Sequence, residues 1–444
     1  MPPARRTLRN LVARACFGAH PAGGGRKLPR ARESQWWSAE QIEGLQTARL
    51  RRLAQAAASV PFYRERFREA GVDPAAIHSL NELRRLPPLE REELAENGLS
   101  LRTPGEWGLR ASSSGSAGSP VRVLWSREEM GWRDASEERG REWLGIGPGE
   151  RRLEVRCRPV TRAQAVSAAL LNTKAIHAGV ASDPSALERL AHSLKRDPPS
   201  LVNGVSNAIY EIALALLAQG RTVPARACWS GGNHLHPHYR AALESAFECP
   251  VFEKYATMET GLIAHECPDR GSMHVAAEGV IAEIVRPDGS AAGPGEMGDV
   301  LITSLRNRAL PLIRYRIGDR AIAPEPGLCP CGRGLPVFGT IVGRDDGFLL
   351  TGSGDVVTPK EVVDLVRSAT ESVIDFQVIQ DEDTGLRVLV TQRDAPPSET
   401  DRERIAAALG ELVQPPAPPR VERVEGIPLT PGGKLKTLVT RAGR

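Results

Sequence analysis

The chain has 444 residues, of which 41% are hydrophobic and 25% charged, and its formal net charge is +4. This length exceeds one ordinary hydrophobic core, and the composition is that of a globular protein rather than a fibrous or disordered one, with no support for nucleic-acid binding. The seven cysteines are too few and too unevenly spread for a disulfide framework, and no apolar run is long enough to span a membrane. We therefore expect a reducing compartment, the cytoplasm.

The first 32 residues carry eight arginines and lysines and no acidic residue. A transit peptide or a membrane-surface helix would have this charge. However, Gly23 to Gly25 interrupts any long helix, and a secretory apolar core is missing. We therefore predict a loosely ordered basic tail over residues 1–37.

Helical and mixed patterns follow the tail. Ser38 and Gln41 form a capping box ahead of apolar residues at helical spacing, which predicts a helix that runs towards Val60 and stops at Pro61. From about residue 105, short apolar strands at 121–125, 280–285 and 300–305 alternate with helices such as 208–217. This alternation predicts an α/β body.

The last 100 residues have the pattern of a small α+β unit. Thr358 and Glu361, with Pro359 in the first turn, predict the start of a helix. Strands near 373–379 and 386–391, a helix over 398–413 and a final strand follow. We therefore predict a large domain over residues 38–344 and a small domain over residues 345–444.

Two early segments have residue types that suit phosphates. The serine- and glycine-rich run 112–120 offers backbone amides and hydroxyls to a phosphate, although such a run is equally typical of a flexible loop, and it is no Walker loop. Glu259, on a loop predicted over 255–261, supplies the oxygen ligand that Mg²⁺ prefers. A capped turn is the alternative for this second segment.

Three later motifs add charges suited to a nucleotide. Asp319 follows a glycine and can accept hydrogen bonds from both ribose hydroxyls, and Arg344, 25 residues later, suits a phosphate or ribose. Each is alternatively an ion-paired charge on a surface turn. Lys434 projects from a Gly-Gly turn and can meet a carboxylate and an α-phosphate, unless the turn is a plain hairpin.

Taken in this order, the five motifs resemble the phenylacetate:CoA ligase family of the adenylate-forming superfamily, from about Gln41 to Lys436. The opening Val60-Pro61-Phe62-Tyr63 adds to the likeness. The resemblance implies a ligase that uses ATP and Mg²⁺ to convert an aryl or acyl acid into an acyl-adenylate, and then passes the acyl group to a thiol, coenzyme A first. A carrier protein or an amine as acceptor stays open, as does a degenerate chain that binds nucleotide without turnover.

The resemblance also implies roles for individual residues. Lys434, Glu259 and Arg344 would be catalytic, with Glu259 as the Mg²⁺ ligand, and Asp346 would be the hinge of a small mobile domain whose rotation carries Lys434 away. The nucleotide would contact Ser113, Ser114, Gly115, Ser116, Ala117, Gly118, Gly231, Gly232, Tyr255, Ala256, Thr257, Asp319 and Arg344.

Several positions depart from the family pattern. They are Ala117, Ser119, Asn233, Ala256, Ile317 and Gly347. Because most of these positions lie near the acyl and nucleotide pockets of the family, phenylacetate itself is not the expected substrate. A homodimer is compatible with the sequence.

A second set of residues is typical of a structural zinc site. Cys329 and Cys331 supply two thiolates on one turn, and Cys267 and His274 lie about 60 residues earlier. His265 competes with His274 for the fourth position, and free buried cysteines are the alternative. The alternating histidines 234, 236 and 238 surround a proline, so we interpret them as the start of a helix rather than as a metal site.

Overall fold

The computed structural model describes residues 3–112, 121–157, 159–269, 272–327, 329–344, 347–353, 356–357, 359–370, 373, 375–391, 398–428 and 435–440. Within these ranges the chain forms two compact units. The first comprises residues 3–112, 121–317 and 322–340, and the second comprises 318–321 and 341–440, apart from the gaps just given. No helix in the described ranges is long and apolar enough to cross a membrane.

The helices up to residue 340 are α1 (Pro3–Ala19), α2 (Gly24–Ser34), α3 (Ala39–Ala57), α4 (Pro61–Glu69), α5 (Leu80–Arg84), α6 (Arg91–Asn97), α7 (Arg127–Trp143), α8 (Arg162–Leu170), α9 (Pro184–Arg196), α10 (Ser206–Ala218) and α11 (Pro237–Phe247). Single 3₁₀ turns lie at Gly98–Leu101 and Ala178–Ser182. The strands are β1 (Leu109–Ser112), β2 (Arg122–Trp125), β3 (Arg152–Arg156), β4 (Thr173–His177), β5 (Leu201–Val205), β6 (Ala227–Gly231), β7 (Val251–Thr257), β8 (Gly261–Glu266), β9 (Met273–Val275), β10 (Val280–Val285), β11 (Met297–Ser304), β12 (Tyr315–Ile322), β13 (Val337–Phe338) and β14 (Thr340–Arg344).

The basic opening segment is helical, so the prediction of a loosely ordered tail is wrong. Helices α1 and α2 meet at a break where Gly23 has a φ of 77°, as the glycine run indicated. Helix α2 packs against α7, and Leu28 and Ala31 share a buried cluster with Trp132. Burial of this apolar face against the body provides the stabilisation that the local sequence does not reveal.

An eight-stranded sheet, in the order β13-β9-β8-β7-β6-β5-β3-β4, forms the centre of the first unit. Strands β4, β3, β5, β6 and β7 run parallel, and β8, β9 and β13 continue the sheet antiparallel. One face packs against α9, α10 and α11 through residues such as Leu190, Ile209 and Phe247. The carboxyl ends of β5, β6 and β7 therefore share one edge, where open α/β sheets bind their ligands.

A second sheet has the order β10-β11-β12-β14. Strand β12 contributes residues 315–317 and 322 to the first unit and 318–321 to the second. Strand β10 has the predicted bounds, whereas β11 begins three residues earlier than predicted. The predicted capping box is also present, because Ser38 Oγ accepts from the Gln41 N–H at 3.2 Å and caps α3.

The last part of the chain has the predicted α+β pattern. It contains β15 (Leu349–Leu350), β16 (Val356–Val357), α12 (Pro359–Ala369), β17 (Asp375–Gln380), β18 (Leu386–Thr391), α13 (Glu399–Val413), β19 (Arg420–Arg423) and β20 (Leu438–Thr440). The sheet order is β19-β18-β17-β20, and Val366, Ile405 and Leu409 bury the helices against it. The α/β fold class is confirmed, Thr358 lies outside the described residues, and the boundary at residue 344 stays a prediction.

Candidate active site

Two glycines end β6 at the carboxyl edge of the central sheet. A Cβ atom at Gly231 would lie 2.7 Å from the Lys254 carbonyl oxygen, and Gly232 has a φ of 81°, which side chains disfavour. Asn233 follows, and its Nδ2 donates to Asn207 Oδ1 at 2.9 Å. The departure from the family pattern at Asn233 therefore has a structural role, because its side chain ties this turn to the start of α10.

The segment that carries Glu259 is a hairpin rather than a loop throughout. Tyr255, Ala256 and Thr257 lie in β7, which pairs with β8 across a bulge, so the prediction of a loop over 255–261 is wrong for its first three residues and for Gly261, which begins β8. The pairing partner follows the motif in the chain, and local sequence does not show it. Tyr255 is buried, and its ring lies 5.4 Å from that of Phe338.

Glu259 sits in the tight turn between β7 and β8. The turn is capped, since the Thr260 N–H donates to Thr257 Oγ1 at 3.2 Å. The Glu259 side chain is only 9% exposed, and Arg91 Nη1 lies 3.5 Å from its Oε1. The capped turn is therefore confirmed, and it holds a nearly buried carboxylate in place, whereas the role of Glu259 as a Mg²⁺ ligand stays a prediction.

Arg91 is a site residue that sequence reasoning missed. It begins α6, lies 168 positions before Glu259, and also donates from Nη1 to the Tyr315 hydroxyl at 3.3 Å. Its neighbour Glu90 pairs with Arg316 at 3.0 Å. No motif marks either residue, so only the tertiary structure reveals that a cation faces the proposed metal ligand.

Asp319 and Arg344 meet within the second unit. Asp319 lies on β12, Arg344 ends β14, and Arg344 Nη1 lies 3.5 Å from Asp319 Oδ1. Gly318 has a φ of 79°, and a Cβ atom there would lie 3.0 Å from Arg344 Nη2. The pair lies on strands rather than on surface turns, and it joins a carboxylate acceptor to a guanidinium donor, which suits a ribose beside a phosphate.

Other predicted site residues lie outside the described residues. They are Ser113, Ser114, Gly115, Ser116, Ala117, Gly118, Asp346 and Lys434. Their roles therefore stay predictions.

Four candidate metal ligands converge in the first unit. The ligand atoms of Cys267, His274, Cys329 and Cys331 all lie within 4.8 Å of one another. The Cys329 and Cys267 sulfurs are 3.7 Å apart, and the Cys331 sulfur is 3.3 Å from His274 Nε2. Sulfurs bound to one tetrahedral zinc ion would be about 3.8 Å apart, so the donor set fits zinc.

The surroundings of His274 favour it over His265 as the fourth ligand. His274 Nδ1 lies 3.1 Å from the Leu335 carbonyl, so it carries the proton and leaves Nε2 to face the sulfurs. His265 lies beside it on β8, but its ring packs 4.1 Å from that of Trp143. Burial, with the nearby Arg139, lowers the pKa of His265 well below its usual value, which keeps this ring neutral.

The thiols of the cluster differ in acidity. Burial raises the pKa of Cys267 to about 12. Burial also opposes ionisation of Cys331, but the Arg333 N–H donates to its sulfur at 3.4 Å and, with the neighbouring thiols, holds its pKa below the ordinary value. A cation here would therefore release a proton from Cys267 on binding.

The three alternating histidines precede or begin α11, as predicted. His236 immediately precedes the helix, and the rings of His234 and His238 lie 4.8 and 5.5 Å from its ring. Tyr239 and Tyr210 stack beside them, with ring centres 4.1 Å apart. In the part of the chain that the structure describes, these histidines pack as an aromatic cluster.

The fold is shared with a solved CoA ligase. A solved 2-hydroxyisobutyryl-CoA ligase, in the postadenylation state with R3-HIB-AMP, superposes with a TM-score of 0.75 and 19% identity, covering 93% of this chain and 91% of that one. No protein-family model matches the chain.

Curated relatives include the family that the sequence resembles. A phenylacetate-coenzyme A ligase of Thermus thermophilus is 25% identical over 369 residues, which are 77% of this chain and 78% of the relative. Protein CapK of Staphylococcus aureus is 23% identical over 397 residues, which are 84% of each chain. The resemblance to the phenylacetate:CoA ligase family is confirmed, and these relatives support the predicted class of AMP-forming acid–thiol ligase.

Proposed function

We propose that this chain activates a carboxylic acid with ATP and transfers the acyl group to coenzyme A. In the first step a carboxylate oxygen attacks the α-phosphorus, an acyl-adenylate forms and pyrophosphate leaves. In the second step the sulfur of the thiol attacks the acyl carbonyl, AMP leaves with the electrons of the cleaved C–O bond, and the thiol loses its proton. Positioning and charge neutralisation supply most of the acceleration in such reactions.

Each candidate residue has a part in this proposal. Glu259 would hold a Mg²⁺ ion, whose charge would offset that of the phosphates. Asp319 would accept from the ribose hydroxyls beside Arg344, and Gly231 and Gly232 would let the nucleotide approach the strand edge. Residues 113–118 would cradle the phosphates.

The second step requires a change of conformation. Lys434 would approach the α-phosphate during adenylation and withdraw when the small domain turns at Asp346. These two roles, like the domain boundaries, come from the resemblance to the family.

The observation that carries the proposal is the meeting of Asp319 and Arg344 at 3.5 Å. The two residues come from separate motifs that the family resemblance assigned to one ribose. A carboxylate 13% exposed beside a guanidinium 32% exposed leaves both groups accessible to a ligand.

A pyrophosphate exchange assay over a panel of aryl and acyl acids tests the proposal. We expect exchange that depends on one class of acid, and an increase of about 10- to 100-fold in the KM for ATP in Asp319→Asn, because a charge-assisted hydrogen bond is lost. Asp288→Asn, at an exposed turn, is the control. Nucleotide binding without exchange for any acid would contradict the proposal and favour a degenerate binding protein.

We also propose that Cys267, His274, Cys329 and Cys331 hold a structural zinc ion. Four protein ligands leave no open coordination position, so the ion would join β8 and β9 to the loop before β13 rather than take part in catalysis. The cytoplasmic location and a homodimeric state remain predictions.

A further inference from the structure

Two neighbouring helices of the first unit carry apolar side chains on their solvent side. Leu8, Leu11 and Val12 on α1 are 62%, 57% and 48% exposed, and Val166 and Leu170 on α8 are 63% and 54% exposed. These five are half of the ten large hydrophobic side chains exposed among the described residues. Helices α1 and α8 contact each other, and their five exposed apolar residues are named here the α1–α8 surface.

The way these helices attach to the body is the reverse of the usual amphipathic pattern. A surface helix normally buries its apolar stripe and exposes its polar face. Helix α1 instead attaches through Phe17 near its end, which packs on the Trp132 cluster, through the buried Ala13, and through Arg9, which donates to Asp197 at 3.0 Å. Asn10 Oδ1 also accepts from Asn172 Nδ2 at 2.9 Å. The spacing of Leu8, Leu11 and Val12 then forms a stripe that faces water.

Helix α8 repeats the arrangement. Of its nine residues only Ala168 is buried, whereas Ala163, Val166 and Leu170 are exposed at the i, i+3 and i+7 positions of one face. Folding of the body gains little from these side chains. These exposed apolar side chains are therefore available for contact with a binding partner.

The charged residues of the two helices themselves have a single sign. Helix α1 contains four arginines and α8 one, and neither helix contains an acidic residue. The first acidic residue of the chain is Glu33. Arg14 and Arg162 are exposed beside the apolar side chains. An occupant that fits must offer both an apolar layer and negative charge.

We propose that the α1–α8 surface binds the interface of an anionic lipid bilayer, with both helices lying in the headgroup layer. Exposed leucines and valines enter the acyl boundary, and the arginines pair with anionic headgroups, which is the recognition that interfacial helices use. Helix α1, at 17 residues, lies on the membrane and does not span it. A symmetric contact with a second copy would bring the arginines of the two α1 helices towards each other, so the charge favours lipid.

Sedimentation of the full chain with vesicles tests this inference. We expect binding to vesicles of phosphatidylcholine with about one third phosphatidylglycerol, and weak binding to phosphatidylcholine alone. Leu11→Ser should lower the partition coefficient about tenfold, and the double variant Leu8→Ser with Leu11→Ser should lower it further. Each substitution removes most of the favourable free energy of transferring a leucine side chain from water to the bilayer. Arg14→Gln should lower it about fivefold on anionic vesicles only.

Leu109→Ser is the matched control, because Leu109 is 48% exposed and lies on β1. The wild type failing to sediment with anionic vesicles, or Leu11→Ser and Leu109→Ser having equal effects, would overturn the inference. So would a dimer, seen by analytical ultracentrifugation, that Leu11→Ser dissociates while vesicle binding is absent. Circular dichroism confirms that each variant is folded, and because vesicle binding needs no turnover, the result is independent of the proposed enzyme activity.

Discussion

Replacing Arg91 by glutamine is expected to lower the Mg²⁺ concentration that half-saturates pyrophosphate exchange. Arg91 Nη1 lies 3.5 Å from Glu259 Oε1, and the two side chains are 16% and 9% exposed. At this separation the gross attraction is about 5 kcal/mol for an effective dielectric constant of about 20. The cost of desolvation and of ordering both side chains reduces the net value to about 1 kcal/mol.

A metal ion that binds Glu259 must displace this guanidinium, so the ion pair works against metal binding. Loss of an ion pair with a net free energy of about 1 kcal/mol would strengthen the binding constant for Mg²⁺ about fivefold. We therefore expect the half-saturating Mg²⁺ concentration of Arg91→Gln to fall by about three- to tenfold. Glutamine keeps a polar side chain but is shorter than arginine and carries no charge.

The assay follows exchange at a fixed acid concentration while free Mg²⁺ is varied. Arg66→Gln is the control, because Arg66 forms an ion pair with Glu93 at 2.7 Å between α4 and α6 that does not include Glu259. An unchanged or raised Mg²⁺ requirement in Arg91→Gln would refute the idea that Arg91 and the metal compete. Absence of exchange in the wild type would instead refute the proposed function.

Three further predictions concern the metal cluster and the stability of the body. Cys329→Ser should lower zinc, measured by atomic emission, from about one to below about 0.1 per chain, whereas Cys16→Ser, outside the cluster, should not. Gly231→Ala should lower the free energy of unfolding in urea by about 1–3 kcal/mol, because its Cβ would lie 2.7 Å from a backbone oxygen of the neighbouring strand. Gly44→Ala in α3, with open space around it, should raise the same quantity by up to about 1 kcal/mol, and equal effects would contradict the steric argument. Burial raises the pKa of Glu129 from 4.5 to about 7, so between these pH values the folded chain holds a proton that the unfolded chain has released. The free energy of unfolding therefore falls by up to about 3 kcal/mol as pH rises through this range. Glu129→Gln should flatten the pH profile of the urea midpoint, and an unchanged profile would contradict this.

Elements that depend on local signals were predicted closely from the sequence. The Ser38 capping box starts α3 where expected, β18 has the predicted bounds, and α13 begins directly after Ser398. The errors occur where tertiary contacts decide the outcome. Strand β7 continues to Thr257 because β8 pairs with it, and α2 forms where Leu28 and Ala31 can pack on α7.

The candidate site divides in the same way. Asp319, Arg344 and the cysteine–histidine set were predicted because motif order and ligand spacing are written along the chain. Arg91 was not, because no local pattern connects it to a carboxylate 168 positions later. The choice of His274 over His265 likewise depends on which imidazole a backbone carbonyl orients, and only the structure shows that hydrogen bond.

The spread of the four metal ligands along the chain affects biosynthesis. The set runs from Cys267 to Cys331, so it is incomplete until residue 331 of 444 has been made. With zinc as the occupant, the growing polypeptide captures its ion only after the strands of the parallel sheet have already emerged from the ribosome. In a cell starved of the metal, the first unit would then be synthesised without the ion that joins β8 and β9 to the loop before β13. The yield of folded protein would depend on the metal supply rather than on the rate of translation.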